Sequence, residues 1–353
     1  MKPFQRLCPE CEFKKAVETA RQRDLLRTRP KPGVTEKLQF RQIVRQHTPR
    51  PSWLRGRKMT SPARGFVLNQ PRGLHCVCSS TKRFDSMRKH TLTGNVKVHR
   101  AFRSRILANR RDILVYLPPG YRRFSRKRYP VLYLHDGQNV FDAATSFAGV
   151  EWGVDETAER LIRSRIIEPV IVVAVANVGE DRVHEYTPTP GVIEAKAKRK
   201  KRSRGLARLY GNFLMEELKP YIDRKYRTKA DPEFTGLGGS SLGGLVTLAI
   251  GILYSDAFRR LMVMSPSVWW DDFAIYRLVD SIERKPPLKI WVDTGTAEPG
   301  WEQTRELCKR LVEKGWKPGK DLLYMEADHG DHSEAAWAAR VEPALRFLFP
   351  VGR

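Results

Sequence analysis

Phe234-Thr235-Gly236-Leu237-Gly238-Gly239-Ser240-Ser241-Leu242-Gly243-Gly244 is the stretch whose reading decides the fold. Its segment Gly239-Ser240-Ser241-Leu242-Gly243 matches G-x-S-x-G, the nucleophile-elbow pattern that presents a serine on a sharp turn between a strand and a helix. Both flanks fit. The short run before it reads as a buried strand, and Leu245-Val246-Thr247-Leu248-Ala249-Ile250-Gly251-Ile252-Leu253 is apolar enough for a buried helix. Glycines are needed there because the serine backbone is strained and neighbouring side chains would clash. The serine then lies at a helix N-terminus, where free N–H groups and the helix dipole favour developing negative charge. The pentapeptide alone also fits a Gly/Ser-rich turn without chemistry, so the rest of the chain has to decide.

Upstream, Val96–Phe102 and Arg111–Leu117 alternate in part, as antiparallel strands do, and Pro118-Pro119-Gly120-Tyr121 is a turn. Tyr129–His135 and Val170–Ala176 are apolar on both faces, as strands of a parallel sheet are. Trp152–Ile162 has helical spacing with acids in its first turn, and Leu206–Tyr226 repeats apolar residues at three and four. Residues 177–205 between them read as a long loop. Downstream, Arg260–Met264, Leu288–Val292 and Leu322–Met325 are strands, with helices near 272–283, 301–315 and 334–347. Strands alternating with helices predict an α/β fold, a mostly parallel central sheet with helices on both faces. One domain over residues 87–353 accommodates it.

Residues 1–86 read differently. They carry 20 Lys/Arg against 6 Asp/Glu, a net of +14 out of +26 for the 353-residue chain. Pro, Arg, Gln and Thr are scattered without period, so a basic, disordered extension is expected. Of three readings (a tail for acidic partners, a targeting segment, a stretch foreign to the natural product) we favour the last, because the pattern becomes regular at Met87. Peptides from residues 1–80 in the native protein would overturn it. A second basic run, Lys196–Arg204, carries seven charges inside the long loop. Five cysteines in a long chain argue against a disulfide framework. Cys8-Pro9-Glu10-Cys11 resembles half a zinc knuckle, but Cys76-Val77-Cys78 has the wrong spacing to complete it, and no metal or other cofactor is expected. No apolar run is long enough to span a bilayer and no signal-peptide pattern is present, which gives a cytoplasmic location and no membrane partner. Nucleic acid is not expected as a partner either, since aromatic interleaving is thin and no helix-turn-helix or RNA-binding signature occurs. Salt-dependent DNA retention lost on deleting 1–86 would reverse that.

A nucleophilic serine needs a base, an orienting acid and donors for the oxyanion. With the order Ser, acid, His, the base must follow Ser241, and only His329 and His332 do. They share one loop, so spacing does not choose between them. Asp293 and Glu298 both follow a strand and both qualify as the acid, Asp293 at the strand end and Glu298 in the loop beyond. The oxyanion donors are expected to be the N–H of Leu242 and that of Gly137 or Gln138, in the loop after an early strand. His135 precedes the serine and is expected to hydrogen-bond and shape that loop.

Leu134-His135-Asp136-Gly137-Gln138-Asn139-Val140-Phe141-Asp142, Gly239–Gly244, Ser265-Pro266-Ser267-Val268-Trp269-Trp270-Asp271 and His332-Ser333-Glu334-Ala335-Ala336-Trp337 together resemble the putative-esterase family of α/β-hydrolases. That family includes enterochelin, feruloyl and acetyl-xylan esterases, S-formylglutathione hydrolase and the mycolyltransferases. The resemblance covers about residues 94–349. It implies an α/β-hydrolase fold with Ser241 as nucleophile, His332 as base and Glu298 as acid. Trp152, Trp269 and Trp270 are candidate walls of a pocket for a sugar, an aryl acyl group or a catecholate, with core packing the competing reading. Arg182, Glu185 and Tyr186 are candidate contacts from the long loop. The expected function is a cofactor-free serine carboxylic-ester hydrolase acting through an acyl-enzyme on a small-molecule or glycan-linked ester. The alternatives are an acyltransferase of the same fold, which would need a second alcohol, and a non-catalytic protein with a nucleic-acid-binding tail.

Overall fold

Every residue of Ile171–Val175 is apolar because both faces of this strand are covered. Ile171, Val173 and Val175 face one core, and Val172 and Ala174 face the other. The computed structural model describes residues 89–194 and 200–352. The basic extension over 1–86, Cys8, Cys11, Cys76 and Cys78, and part of the basic run lie outside the described residues.

Among the described residues ten strands are formed: β1 Asn95–Arg103, β2 Arg110–Leu117, β3 Val131–His135, β4 Ile171–Val175, β5 Gly191–Glu194, β6 Lys200–Ser203, β7 Thr235–Ser240, β8 Arg260–Met264, β9 Lys289–Gly295 and β10 Leu322–Ala327. Eight make one sheet in the order β1-β2-β4-β3-β7-β8-β9-β10. β1–β2 and β2–β4 pair antiparallel, and every pair from β4 to β10 is parallel. The helices are α1 Val154–Arg163, α2 Arg182–Glu185, α3 Ala207–Asn212, α4 Lys219–Lys225, α5 Leu242–Leu253, α6 Ala274–Asp280, α7 Trp301–Glu313 and α8 Glu334–Leu348. Buried residues of α3 to α7 cover one face of the sheet, and those of α1 and α8 cover the other. This is the α/β-hydrolase architecture expected from the sequence. None of the described helices is long and apolar enough to cross a membrane.

Two expectations need correction. Residues 177–205 are not a plain loop: they hold α2 and the antiparallel pair β5–β6, with Gly191 opposite Ser203. Lysine-rich segments have low strand propensity, and that hid the hairpin. The predicted helix 206–226 is interrupted by a π-helical turn at Phe213–Leu218, which keeps Phe213, Leu214 and Leu218 in the core. No apolar periodicity distinguishes such a turn from α-helix.

Candidate active site

Parallel pairing brings the C-terminal ends of β3, β7, β8, β9 and β10 to one edge of the sheet, where α/β folds place their sites. Ser241 follows β7 with φ 58 and ψ −123, a backbone that L-residues rarely adopt. It is held from both sides: its N–H donates to Met264 O (3.0 Å), and its carbonyl accepts from the N–H of Leu245 (3.0 Å) and Ser267 (3.1 Å). The turn closes because Gly244 has no side chain, since a Cβ there would lie 2.6 Å from Met264 O. Leu242 opens α5, and an N–H in the first turn of a helix has no intrahelical acceptor.

His332 lies between β10 and α8. Its Nε2 is 2.9 Å from Ser241 Oγ, and its Nδ1 is 2.8 Å from Glu298 Oε2. Trp337, one turn into α8, packs edge-on against the imidazole at 5.0 Å and fixes the ring plane. His329 is 94% exposed and meets neither Ser241 nor Glu298, so of the two histidines the fold brings His332 to the serine.

The two candidate acids separate as clearly. Glu298 Oε1 accepts from the Gly295 N–H (2.8 Å) and Ser265 Oγ (2.6 Å), which leaves Oε2 for His332. Burial would raise this carboxyl, but the hydrogen bonds from His332, Ser265 and Gly295 hold it below the usual range. Asp293 is fully buried at the end of β9 and does not touch His332. It accepts from Trp291 Nε1 (2.6 Å) and the Ser265 N–H (3.3 Å) and lies 3.3 Å from Arg340 Nε. Burial pushes its carboxyl up to about 6, against the opposing charge of Arg340 and these hydrogen bonds.

Arg340 of α8 was missed by sequence reasoning. It is 2% exposed, and its guanidinium reaches Asp293, Glu298 (3.4 Å) and Ser265 Oγ (2.9 Å). Ser265 collects Trp337 Nε1 (3.1 Å) as well as Arg340 and passes one bond to Glu298. The available signal was spacing: Trp337 and Arg340 are three apart on α8 and therefore share a face.

The loop after β3 sits beside the elbow. A Cβ on Gly243 would lie 3.5 Å from His135 Cβ and 3.6 Å from Asp136 Oδ2. Gly137 is pressed against β4: a Cβ would come within 2.6–2.7 Å of backbone atoms of Ala174, Val175 and Ala176. The Gln138 side chain accepts from the Asn177 N–H at 3.2 Å. His135 is fully buried, with Nδ1 2.9 Å from Tyr210 Oη, and desolvation pulls its pKa down to about 3, so it is neutral.

The expected pocket residues divide. Trp269 is 48% exposed, whereas Trp152 and Trp270 are each 1% exposed. Trp152 packs beneath Trp337 at 6.1 Å, and Trp270 donates to Thr189, so both are core residues and neither can form a pocket wall. Arg182 is spent on a two-bond pair with Asp136 (2.7 Å each) and lies over the Tyr186 ring, so it clamps the loop after β3. Glu185 is buried in a two-bond pair with Arg111 (2.7 and 2.9 Å), and Tyr186 is buried with its hydroxyl accepting from the Asp136 N–H. Aromatic and charged residues near a site were legible; which way each side chain turned was not.

The family model described as "Putative esterase" matches residues 104–348. Ferri-bacillibactin esterase BesA of Bacillus subtilis is 30% identical over 201 residues, 52% of this chain and 67% of BesA. The BES protein of Bacillus cereus superposes with a TM-score of 0.57 at 22% identity, covering 74% of this chain and 98% of that one. A ferulic acid esterase superposes with a TM-score of 0.55 at 21% identity, covering 72% and 98%. The chain belongs to the Esterase family of α/β-hydrolase fold, and it is a carboxylic ester hydrolase.

Proposed function

We propose that Ser241, His332 and Glu298 are a catalytic triad that hydrolyses esters through an acyl-enzyme. The observation that carries this reading is the unbroken line Ser241 Oγ–His332 Nε2, 2.9 Å, and His332 Nδ1–Glu298 Oε2, 2.8 Å. His332 takes the hydroxyl proton as Ser241 attacks the ester carbonyl, then gives it to the leaving alcohol. Water, activated by the same imidazole, releases the acid. Glu298 holds the Nδ1–H tautomer and stabilises the imidazolium. The oxyanion is held by the Leu242 N–H and by that of Gly137 or Gln138, preorganised because Arg182 and Asn177 clamp Asp136.

The substrate class we propose is a small-molecule or glycan-linked ester with an aromatic acyl group. It is supported by the similarity to a ferulic acid esterase and by half-exposed Trp269. A cytoplasmic setting goes with this reading as a proposal from the sequence, and so does the assignment of 87–353 as the esterase domain. Hydrolysis of p-nitrophenyl acetate and butyrate by wild type and Ser241→Ala tests the mechanism. The alanine should lower kcat by at least ~10⁴-fold. Wild-type-like turnover in the variant would remove Ser241 from the reaction.

A further inference from the structure

Three more carboxylates meet where the chain enters α1. Glu151, Asp155 and Glu156 bring carboxylate oxygens within 4.8 Å of one another. Asp155 is fully buried, and the two glutamates are half-buried. One oxygen of each is used: Asp155 Oδ2 accepts from the Thr93 N–H (2.7 Å), Glu156 Oε1 from the Thr93 hydroxyl (2.9 Å) and Glu151 Oε1 from the Thr91 hydroxyl. The other oxygens, Glu151 Oε2, Asp155 Oδ1 and Glu156 Oε2, are buried and have no hydrogen-bond partner among the described residues. Among the described residues, His90 pairs with Asp142, Arg160 with Glu342 and Arg163 with Glu159.

Buried carboxylate oxygens without donors are costly, and three converging ones repel each other. A proton shared by Asp155 and Glu156 relieves two of these oxygens and leaves Glu151 Oε2 unmet, whereas a cation meets all three at once. We propose that Glu151, Asp155 and Glu156 form a binding site for a hard divalent cation, Ca²⁺ in first place. The donor set is oxygen only, without the imidazole or thiolate that selects zinc or copper. Anionic oxygens from one loop residue and the first turn of α1 suit the adaptable shell of Ca²⁺ better than the strict octahedron of Mg²⁺. The cation would pin Thr91–Thr93 to the start of α1. It would also fix the end of the 139–153 segment, where Trp152 N–H donates to Asn139 O (2.9 Å) and Val154 N–H to Val140 O (3.3 Å). That segment begins beside Gly137 and Gln138, so the site is a staple under the loop next to the elbow and takes no part in bond making.

The test uses the full chain, stripped with EDTA and titrated with CaCl2, MgCl2 or TbCl3. CaCl2 should raise Tm saturably, and at a concentration 100-fold above Kd the folded-to-unfolded ratio rises ~100-fold. Tb³⁺ emission excited through Trp152, next to Glu151, should grow and be displaced by Ca²⁺. Asp155→Asn/Glu156→Gln should lose both responses, yet in EDTA melt no lower than wild type, because the repulsion is gone. Glu151→Gln, at the rim, should weaken both responses. A wild type indifferent to Ca²⁺ and Mg²⁺, with no displaceable Tb³⁺ emission, overturns the proposal whatever the variants do. So does a double variant that keeps the full response, since the ion would then bind elsewhere. Stabilisation by lowered pH alone would assign the site to a proton shared by Asp155 and Glu156.

Discussion

Two groups of buried carboxylates share this molecule and are treated in opposite ways. At the C-terminal edge of the sheet, Asp293 and Glu298 are surrounded by donors: Trp291, Ser265, the Gly295 N–H, His332 and one buried arginine that reaches both. At the entry to α1, Glu151, Asp155 and Glu156 each keep one buried oxygen without a donor among the described residues. A buried acid is tolerable when every oxygen has a partner, and costly when any has none. Completeness of the first group makes it a rigid mount for His332. Incompleteness of the second makes it a receptor for a charge from outside.

The largest effect should come from breaking the division of labour inside the first group. Glu298→Gln removes the charge behind His332 and can support the wrong tautomer, so kcat should fall by roughly 10²- to 10⁴-fold with little change in KM. Asp293→Asn, five residues away, should lower kcat by less than ~10-fold, because Asp293 never meets the imidazole. Steady-state kinetics of the two variants decides the matter. Equal losses would mean that the two acids act as one unit.

Next in size is removal of the shared cation. Arg340→Ala leaves Asp293 and Glu298 buried without their positive partner and should cost about 3–5 kcal/mol in urea unfolding. Asp155→Asn, made in EDTA, should cost less than ~1 kcal/mol or even stabilise, because it relieves repulsion where no cation is built in. If both variants lose stability alike, the second group has a partner too and the contrast fails.

Much of this was legible in the chain. Tyr129–His135 and Val170–Ala176 read as central strands because burial on both faces leaves nothing polar to alternate. Gly239–Gly243 fixed the elbow because few residues fit a turn that tight. Serine, acid and histidine candidates followed one another along the chain in the order Ser, acid, His, and His332 and Glu298 stood out only through the family resemblance. What stayed hidden depended on side-chain direction. Trp152, Trp269 and Trp270 are alike in sequence, but two point into the core and one does not. Arg340 looked like any charge on a helix, because nothing local says that two acids from β9 and its following loop lie beneath it. The orphan oxygens of Glu151, Asp155 and Glu156 were just as unreadable, since acids in a first helical turn normally face water and the helix dipole.

The smallest effect sharpens the contrast inside the first group. An acid whose pKa is higher in the folded chain than in the unfolded one binds more protons when folded. Its contribution to stability is therefore complete below the unfolded value and is lost as pH rises through the folded one. Burial pushes Asp293 from its ordinary 3.8 up to about 6. Glu298 has the opposite sign: held below its ordinary 4.5, it adds stability above that value and loses it as pH falls through its folded pKa. The two slopes oppose each other in wild type, so the raw pH profile hides both. Subtracting the profile of Asp293→Asn, which keeps Glu298, isolates the aspartate. The difference in unfolding free energy, wild type minus variant, should fall by on the order of 1–3 kcal/mol between about pH 4 and pH 6. A flat difference would mean that Asp293 stays ionised throughout, with the Arg340 charge outweighing burial. Arg340 would then hold both acids as anions, and the mount for His332 would be set by one ion pair rather than by its surrounding hydrogen bonds.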